Sequence, residues 1–291
     1  MAWQAVIEIV LPVFIMMGVG YVFGAFRKVN VALVTDFVVY IAAPCLIVSS
    51  LTGEDLDLAT MGIMALGATW LVVSVGGLLR LVGALTGKRF GTMYLPAMFL
   101  NAGNMLLPLA LFAFGEAGLR YTISVFVTVT ILQGSLGVSI AAGRPSVMEA
   151  LRFPHIYAAV LALLMNTTGF RTPAVLQRPI DLLGDTAVPL MLIALGIRLR
   201  DVRISSWRTP SIVTAARIGG GYMMGLAFVS VVDLPIEARG CLLLASVMPA
   251  AVVTFVFAEK YGRDSGEVAA SVALSTAVSV LTTPMLLAYG L

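Results

Sequence analysis

From Ile9 to Phe26 the chain runs for eighteen residues without a charge, and stretches of this kind recur along its length. A helix crosses a bilayer core with roughly 20 apolar residues. Soluble domains carry about 25% charged residues, whereas here 11% are charged and 60% hydrophobic, with a mean hydropathy of +1.02. Lipid is therefore the solvent for most of this chain. In lipid every backbone polar group needs an internal partner, which leaves helices or closed barrels. The apolar runs are continuous instead of alternating every second residue, so a barrel is excluded and an all-α integral membrane protein is expected.

The runs predict ten transmembrane helices, at 3–26, 31–52, 58–79, 92–114 and 118–141, then 155–170, 179–198, 211–232, 237–258 and 267–289. Helix six is short and helix seven opens beside Pro179. The N-terminal "MAWQAVIEIVLPVF" has no basic region before its apolar run and no small-residue cleavage pattern. It is read as an uncleaved first helix.

Cytoplasmic loops accumulate Lys and Arg. The odd-numbered connections hold thirteen of them (Arg27, Lys28, Arg80, Lys88, Arg89, Arg144, Arg152, Arg198, Arg200, Arg203, Arg208, Lys260, Arg263), and the even-numbered ones hold four (Arg120, Arg171, Arg178, Arg239). Both termini are expected outside, and the connection around "GRPSVMEALRFP" inside, in a bacterial inner membrane. The net charge of +3 is this same bias and gives no argument for nucleic acid. Cys45 and Cys241 both fall inside predicted helices, so no disulfide framework is expected. The single histidine, His155, opens helix six, and with two cysteines it cannot make the usual zinc site; no cofactor or metal is expected.

Five helices before the central connection and five after it would lie in opposite orientations, the arrangement of an inverted-repeat transporter. The expected units are residues 1–143, a cytoplasmic connection at 144–153, and an inverted repeat at 154–291. Two matches support the pairing. "DFVVYIAAPCLI" and "DLLGDTAVPLML" set Asp36, Ala42 and Pro44 against Asp181, Ala187 and Pro189, and "FAFGE" and "FVFAE" set Phe112, Phe114 and Glu116 against Phe255, Phe257 and Glu259.

Helices four and nine each carry helix-breaking residues near their middle, "NAGNMLLP" and "ASVMPAAVVT". Such breaks are tolerated at membrane depth only where protein buries them or a cavity needs them. Paired interruptions in two halves are the best sequence pointer to a transporter's binding site. Half-helix N-termini attract an anion's oxygens, and Asn101 and Asn104, three apart on one helical face, can add amide donors. The candidate substrate-binding residues are Asn101, Asn104, Pro108, Ser246, Pro249 and Thr254. Small and amide residues also serve helix packing, and for Gly103 that reading is preferred.

These residues resemble the auxin efflux carrier family, which includes the plant PIN-formed carriers and bacterial permeases. "NAGNMLLP", with Asn seven residues before Pro, is similar to the family's fourth-helix motif, and "MPAAVVTFVFAEKYG" to its ninth-helix segment. "TAVPLMLIALGIRL" and "STAVSVLTTP" resemble its seventh and last helices. The resemblance implies an inverted five-plus-five repeat, a scaffold part and a transport part, and a site where broken helices four and nine cross. It also implies transport of small organic anions: auxin in plants, dicarboxylates such as malonate or malate in bacterial relatives. Asn101, Pro108 and Pro249 match the motifs; Thr254 stands where the plant carriers have a second proline, and Ala250 where they have glutamine. Those departures argue against an auxin-like aromatic substrate.

Charged residues inside spans are functional candidates. Asp185, just before Pro189, is the candidate for coupling to a proton or cation. Arg217, before "GGGYMMG", is read as snorkelling to the cytoplasmic interface or as a substrate counter-charge. Pro44, Pro189 and Gln133 are candidate supporting residues. The expected function is a secondary active transporter or uniporter of a small organic anion, a carboxylate, dicarboxylate or auxin-like acid, with the bilayer and a second copy of the chain as partners. The rival readings are a non-transporting sensor or scaffold, and an intramembrane enzyme.

Overall fold

The computed structural model describes residues 3–52, 57–146, 148–200 and 207–290. Arg203, one of the basic residues counted above, lies outside the described residues, as does position 147 of the central connection. Among the described residues the chain is all-helical, with no strand. Among these residues seven helices are long and apolar enough to cross a membrane: Trp3–Phe26, Val31–Leu51, Leu58–Thr86, Ala102–Ala142, Ala174–Arg200, Arg208–Val231 and Ser265–Tyr289.

The first, α1 (Trp3–Phe26), is followed by α2 (Val31–Phe37) and α3 (Ala43–Leu51), joined by a π-turn at Val38–Ala42. Then come α4 (Leu58–Thr86) and the short α5 (Tyr94–Met98), which a 3₁₀ turn at Gly91–Met93 leads into. A π-turn at Ala102–Leu106 opens α6 (Leu107–Leu132), and another at Gln133–Gly137 leads to α7 (Val138–Ala142). Next are α8 (Pro154–Thr168), α9 (Ala174–Asp185) and α10 (Ala187–Arg200). A fourth π-turn, Ala215–Gly220, joins α11 (Arg208–Thr214) to α12 (Gly221–Val231). The chain closes with α13 (Ile236–Ser246), α14 (Val253–Lys260) and α15 (Ser265–Tyr289).

Several boundaries differ from the hydropathy reading. α4 runs on to Thr86, past the expected end at 79, and carries Arg80 on an exposed face. Pro179 lies inside α9 and does not open a helix. Within α6, Gly115 has φ 63° and ψ −157°, a conformation reserved for glycine, so Ala102–Ala142 is two helical segments that meet at a sharp break.

Prolines explain two of the π-turns. Proline has no N–H and its ring crowds the carbonyl four residues back. Pro44 and Pro108 each stand second in the α-helix that follows a π-turn, and the residue before each donates five residues back, Ala43 N to Val38 O and Leu107 N to Ala102 O. The wider turn gives each ring room. Pro189 likewise follows the irregular residue Thr186 that separates α9 from α10.

Two regions of tight packing stand out. α1 lies against α10, where a side chain on Gly196 would strike the Met17 carbonyl and one on Gly20 the Ile193 backbone; small residues are how membrane helices approach closely. α3 packs on α8 and α9. In the other region α6 packs on α4 and α13, α12 on α4 and α13, and α15 on α11 and α14.

A crossing of two broken helices

Helix ends leave carbonyls and N–H groups without helical partners, and two such sets of ends meet in this structure. Between α5 and the Ala102 π-turn, residues 99–101 are unwound, as are residues 247–252 between α13 and α14. The two unwound segments pair with each other. Leu100 and Ala250 form an antiparallel bridge, Asn101 N donates to Pro249 O (2.8 Å), and Ala251 N donates to Phe99 O (2.9 Å). Buried backbone amides must find partners, and each segment supplies the other's. Ala250 N turns instead to Ser275 Oγ on α15 (3.0 Å). Proline at 249 has no N–H to satisfy, so it suits a place where only its carbonyl is used.

Asn101 caps the restarting helix. Its backbone (φ −78°, ψ 73°) lies outside the helix, and Oδ1 accepts from Asn104 N (3.1 Å), the standard use of Asn at an N-cap. The pair therefore does not share one helical face: Asn104, half-buried, is held by its backbone, and Asn101 precedes the turn. With Oδ1 engaged, the amide Nδ2 is left buried and without a protein partner, on a residue only 3% exposed. On the other helix the fully buried Thr254 turns its hydroxyl to Ala251 O (2.6 Å).

The opposite ends belong to α5 and α13, whose C-terminal carbonyls converge on Arg217. Nη1 donates to Ala97 O (3.2 Å) and Met98 O (2.9 Å), and Nη2 to Ser246 O (3.2 Å). Arg217 is fully buried, so it does not snorkel. It reaches the carbonyls because Gly221, one turn on, has no side chain: a methyl there would overlap Ser246 O and come 2.5 Å from Nη2. Ser246 is itself buried, its hydroxyl donating to Leu243 O (2.6 Å).

The sequence profile of the membrane transport protein family matches residues 5–145 and 140–287. The chain belongs to this family, that of the auxin efflux carriers. It is similar to an "Uncharacterized transporter" of Methanocaldococcus jannaschii, with 25% identity over 294 residues that cover 94% of this chain and 95% of the relative. An "Uncharacterized transporter" of Methanothermobacter thermautotrophicus shares 27% over 293 residues, covering 96% of each chain. A Rhizobium meliloti protein named "Putative malonate transporter" shares 26% over 303 residues, 96% of this chain and 94% of the relative. Together with its apolar helices, the match makes this chain a multi-pass membrane transport protein.

In the transporter the remaining candidates lie at varying distances from the crossing. Pro108, buried, sits in the restarting helix just beyond the Ala102 π-turn. Gln133 is buried at the start of the π-turn whose Gly137 lies against the Phe99 ring. Pro44 and Pro189 belong to the α3 and α10 helices. Asp185 is exposed and joins Asp181, Glu116, Ser49 and Ser50 around a cavity of about 240 Å³, a grouping that includes none of the crossing residues. The Phe-x-Phe matches do not stand alike relative to the breaks: Phe112 is far down its restarted helix, whereas Phe255 is near the start of α14. Ser275 was not singled out from sequence. The signal available was a run of serines four apart, Ser271, Ser275 and Ser279, all fully buried on one face of α15.

Proposed function

We propose that this membrane transport protein moves a small organic anion across the bilayer by alternating access, as a secondary active transporter or uniporter, and that the anion is held at the crossing. The observation that carries this reading is the buried, unpartnered Nδ2 of Asn101 at the start of a restarting helix. Each helix N-terminus presents roughly +0.5 elementary charge. The two restarting helices together offer about +1, enough to hold one carboxylate group of the anion, and the Asn101 amide adds a neutral donor. Thr254 and Asn104 line the same two helix starts. The name of the Rhizobium meliloti relative supports a dicarboxylate of malonate size.

The proposal extends to architecture. Splitting Ala102–Ala142 at Gly115, and counting α8 and the α13–α14 pair as crossings, brings the seven long helices to ten. Ten crossings in two inverted halves, residues 1–143 and 154–291 joined at 144–153, would put both termini outside, an orientation that the distribution of basic residues supports. The α1, α3, α8, α9 and α10 group then forms a scaffold against which the crossing moves. Pro44 and Pro189 occupy corresponding places beside helix irregularities, which supports the duplication. Asp185 is the proposed coupling residue, and a homodimer in a bacterial inner membrane is the proposed setting. A sensor or scaffold would have no use for an unpaired amide donor at the meeting of two helix starts. The test is uptake into liposomes of a panel of mono- and dicarboxylates. Concentration-dependent, saturable uptake of at least one of them supports the proposal, and none moving above protein-free liposomes refutes it.

A further inference from the structure

In transporters built on broken helices, unwound carbonyls and half-helix C-terminal ends are the places that coordinate sodium or a proton carrier. Here three of those carbonyls are held by one side chain. Ala97 O and Met98 O from one helix end and Ser246 O from the other accept from a single guanidinium, and no carboxylate accompanies it among the described residues. Helix C-termini each carry roughly −0.5 elementary charge, so two of them balance one fixed cation. Arg217 is fully buried, and its helix passes close enough to Ser246 that no side chain fits at Gly221 or Gly225. The π-turn Ala215–Gly220 sets Arg217 on the same face as these two glycines.

We propose that Arg217 is a tethered cation that takes the place of a coupling ion at the crossing, so that the site is built and stays assembled without sodium. The guanidinium takes the Ala97, Met98 and Ser246 carbonyls that a mobile cation would use between α5 and α13, and its charge would repel that cation. The Asn101 side of the crossing then answers only to the anionic cargo. This assignment rests on the geometry of the helix C-termini, and only its flux arm depends on the function proposed above.

The test uses the purified full chain in detergent, read by thermal unfolding and by monodispersity in gel filtration. The wild-type midpoint should be the same in sodium chloride as in choline chloride at equal ionic strength; a sodium-specific upward shift overturns the proposal. Arg217→Lys, which keeps a charge and several donors, should remain monodisperse and unfold within a few degrees of wild type. Arg217→Met should fall by clearly more or fail to fold. If Lys falls as far as Met, a fixed cation is not what the site requires and the assignment is wrong. Arg217→Ala should regain midpoint in low-millimolar guanidinium chloride but not in choline chloride, and wild type should not respond; a folded Ala variant indifferent to guanidinium also overturns it. In liposomes, uptake by wild type of whichever carboxylate of the mono- and dicarboxylate panel it moves should be independent of a sodium gradient, and uptake driven by sodium overturns the proposal. If none moves, the proposed function fails and the stability arms alone decide the role of Arg217.

Discussion

Adding one methyl group to α12 should do more damage than its size suggests. At Gly221 a Cβ would overlap the Ser246 carbonyl and come 2.5 Å from Arg217 Nη2, where ordinary contacts begin near 3.4 Å. The helix must shift by about an ångström or the guanidinium must leave its carbonyls. Overpacking of a tight contact costs about 1–3 kcal/mol. Losing one hydrogen bond to a charged group costs about 1.5–3 kcal/mol, so by either route Gly221→Ala should lose roughly 1–3 kcal/mol. Gly219, two residues earlier and within the π-turn that precedes α12, is exposed and has nothing within 4 Å of its would-be Cβ. Gly219→Ala should therefore be neutral, or stabilising by up to about 1 kcal/mol through helix propensity. Thermal unfolding of the two variants in one detergent checks this: a large drop for Gly221→Ala and none for Gly219→Ala is expected. Equal midpoints would refute the close approach on which the Arg217 geometry depends.

Further outcomes follow from the same structure. Pro108→Ala restores a donor where the π-turn accommodates a ring, and should reduce uptake rate by more than it changes half-saturation; liposome kinetics showing the reverse would put Pro108 in direct contact with cargo. Asp185→Asn should leave binding measurable and remove the response of uptake to an imposed pH gradient, and an unchanged response would return Asp185 to a structural role. In a cysteine-free background, single cysteines at 144 and 171 should label from inside and outside respectively with an impermeant reagent, and labelling of 144 from outside would overturn the orientation and with it the two-half arrangement.

The helical character and the two interruptions were legible because they are local. Long uncharged runs name the solvent, and Asn, Gly and Pro in such runs name the breaks. The place where helix four breaks was not legible. The unwinding begins at Phe99 and Leu100, two apolar residues whose extended backbone is set by pairing with Pro249 and Ala251 some 150 residues away. The shared face of Asn101 and Asn104 was misjudged for the same reason: helical spacing puts them on one face only if the helix is continuous, and it is not. Arg217 was hidden by its chemistry, since an arginine in a span more often snorkels. The glycines at one and two turns beyond it, Gly221 and Gly225, were the sequence clue that its helix face is pressed against another backbone. Phe112 and Phe255 are matched in the sequence yet stand at different distances from the two breaks, which spacing along the chain does not reveal.

The account turns on an anion held by the Asn101 amide, and Asn101→Asp tests that most directly. The substitution keeps an oxygen to cap Asn104 N and replaces only the unpartnered donor, at N-cap positions where Asp serves as well as Asn. Binding of a mono- and dicarboxylate panel, malonate included, would be measured by calorimetry for wild type and variant, with unfolding midpoints as the control. Loss of a hydrogen bond to a charged partner, about 1.5–3 kcal/mol, corresponds to roughly ten-fold to more than a hundred-fold in Kd, and carboxylate repulsion adds to it. The predicted result is wild-type binding of at least one carboxylate, weakened at least about ten-fold in Asn101→Asp, with midpoints that agree within a few degrees. An Asp variant that binds the same carboxylate as tightly as wild type would contradict the account.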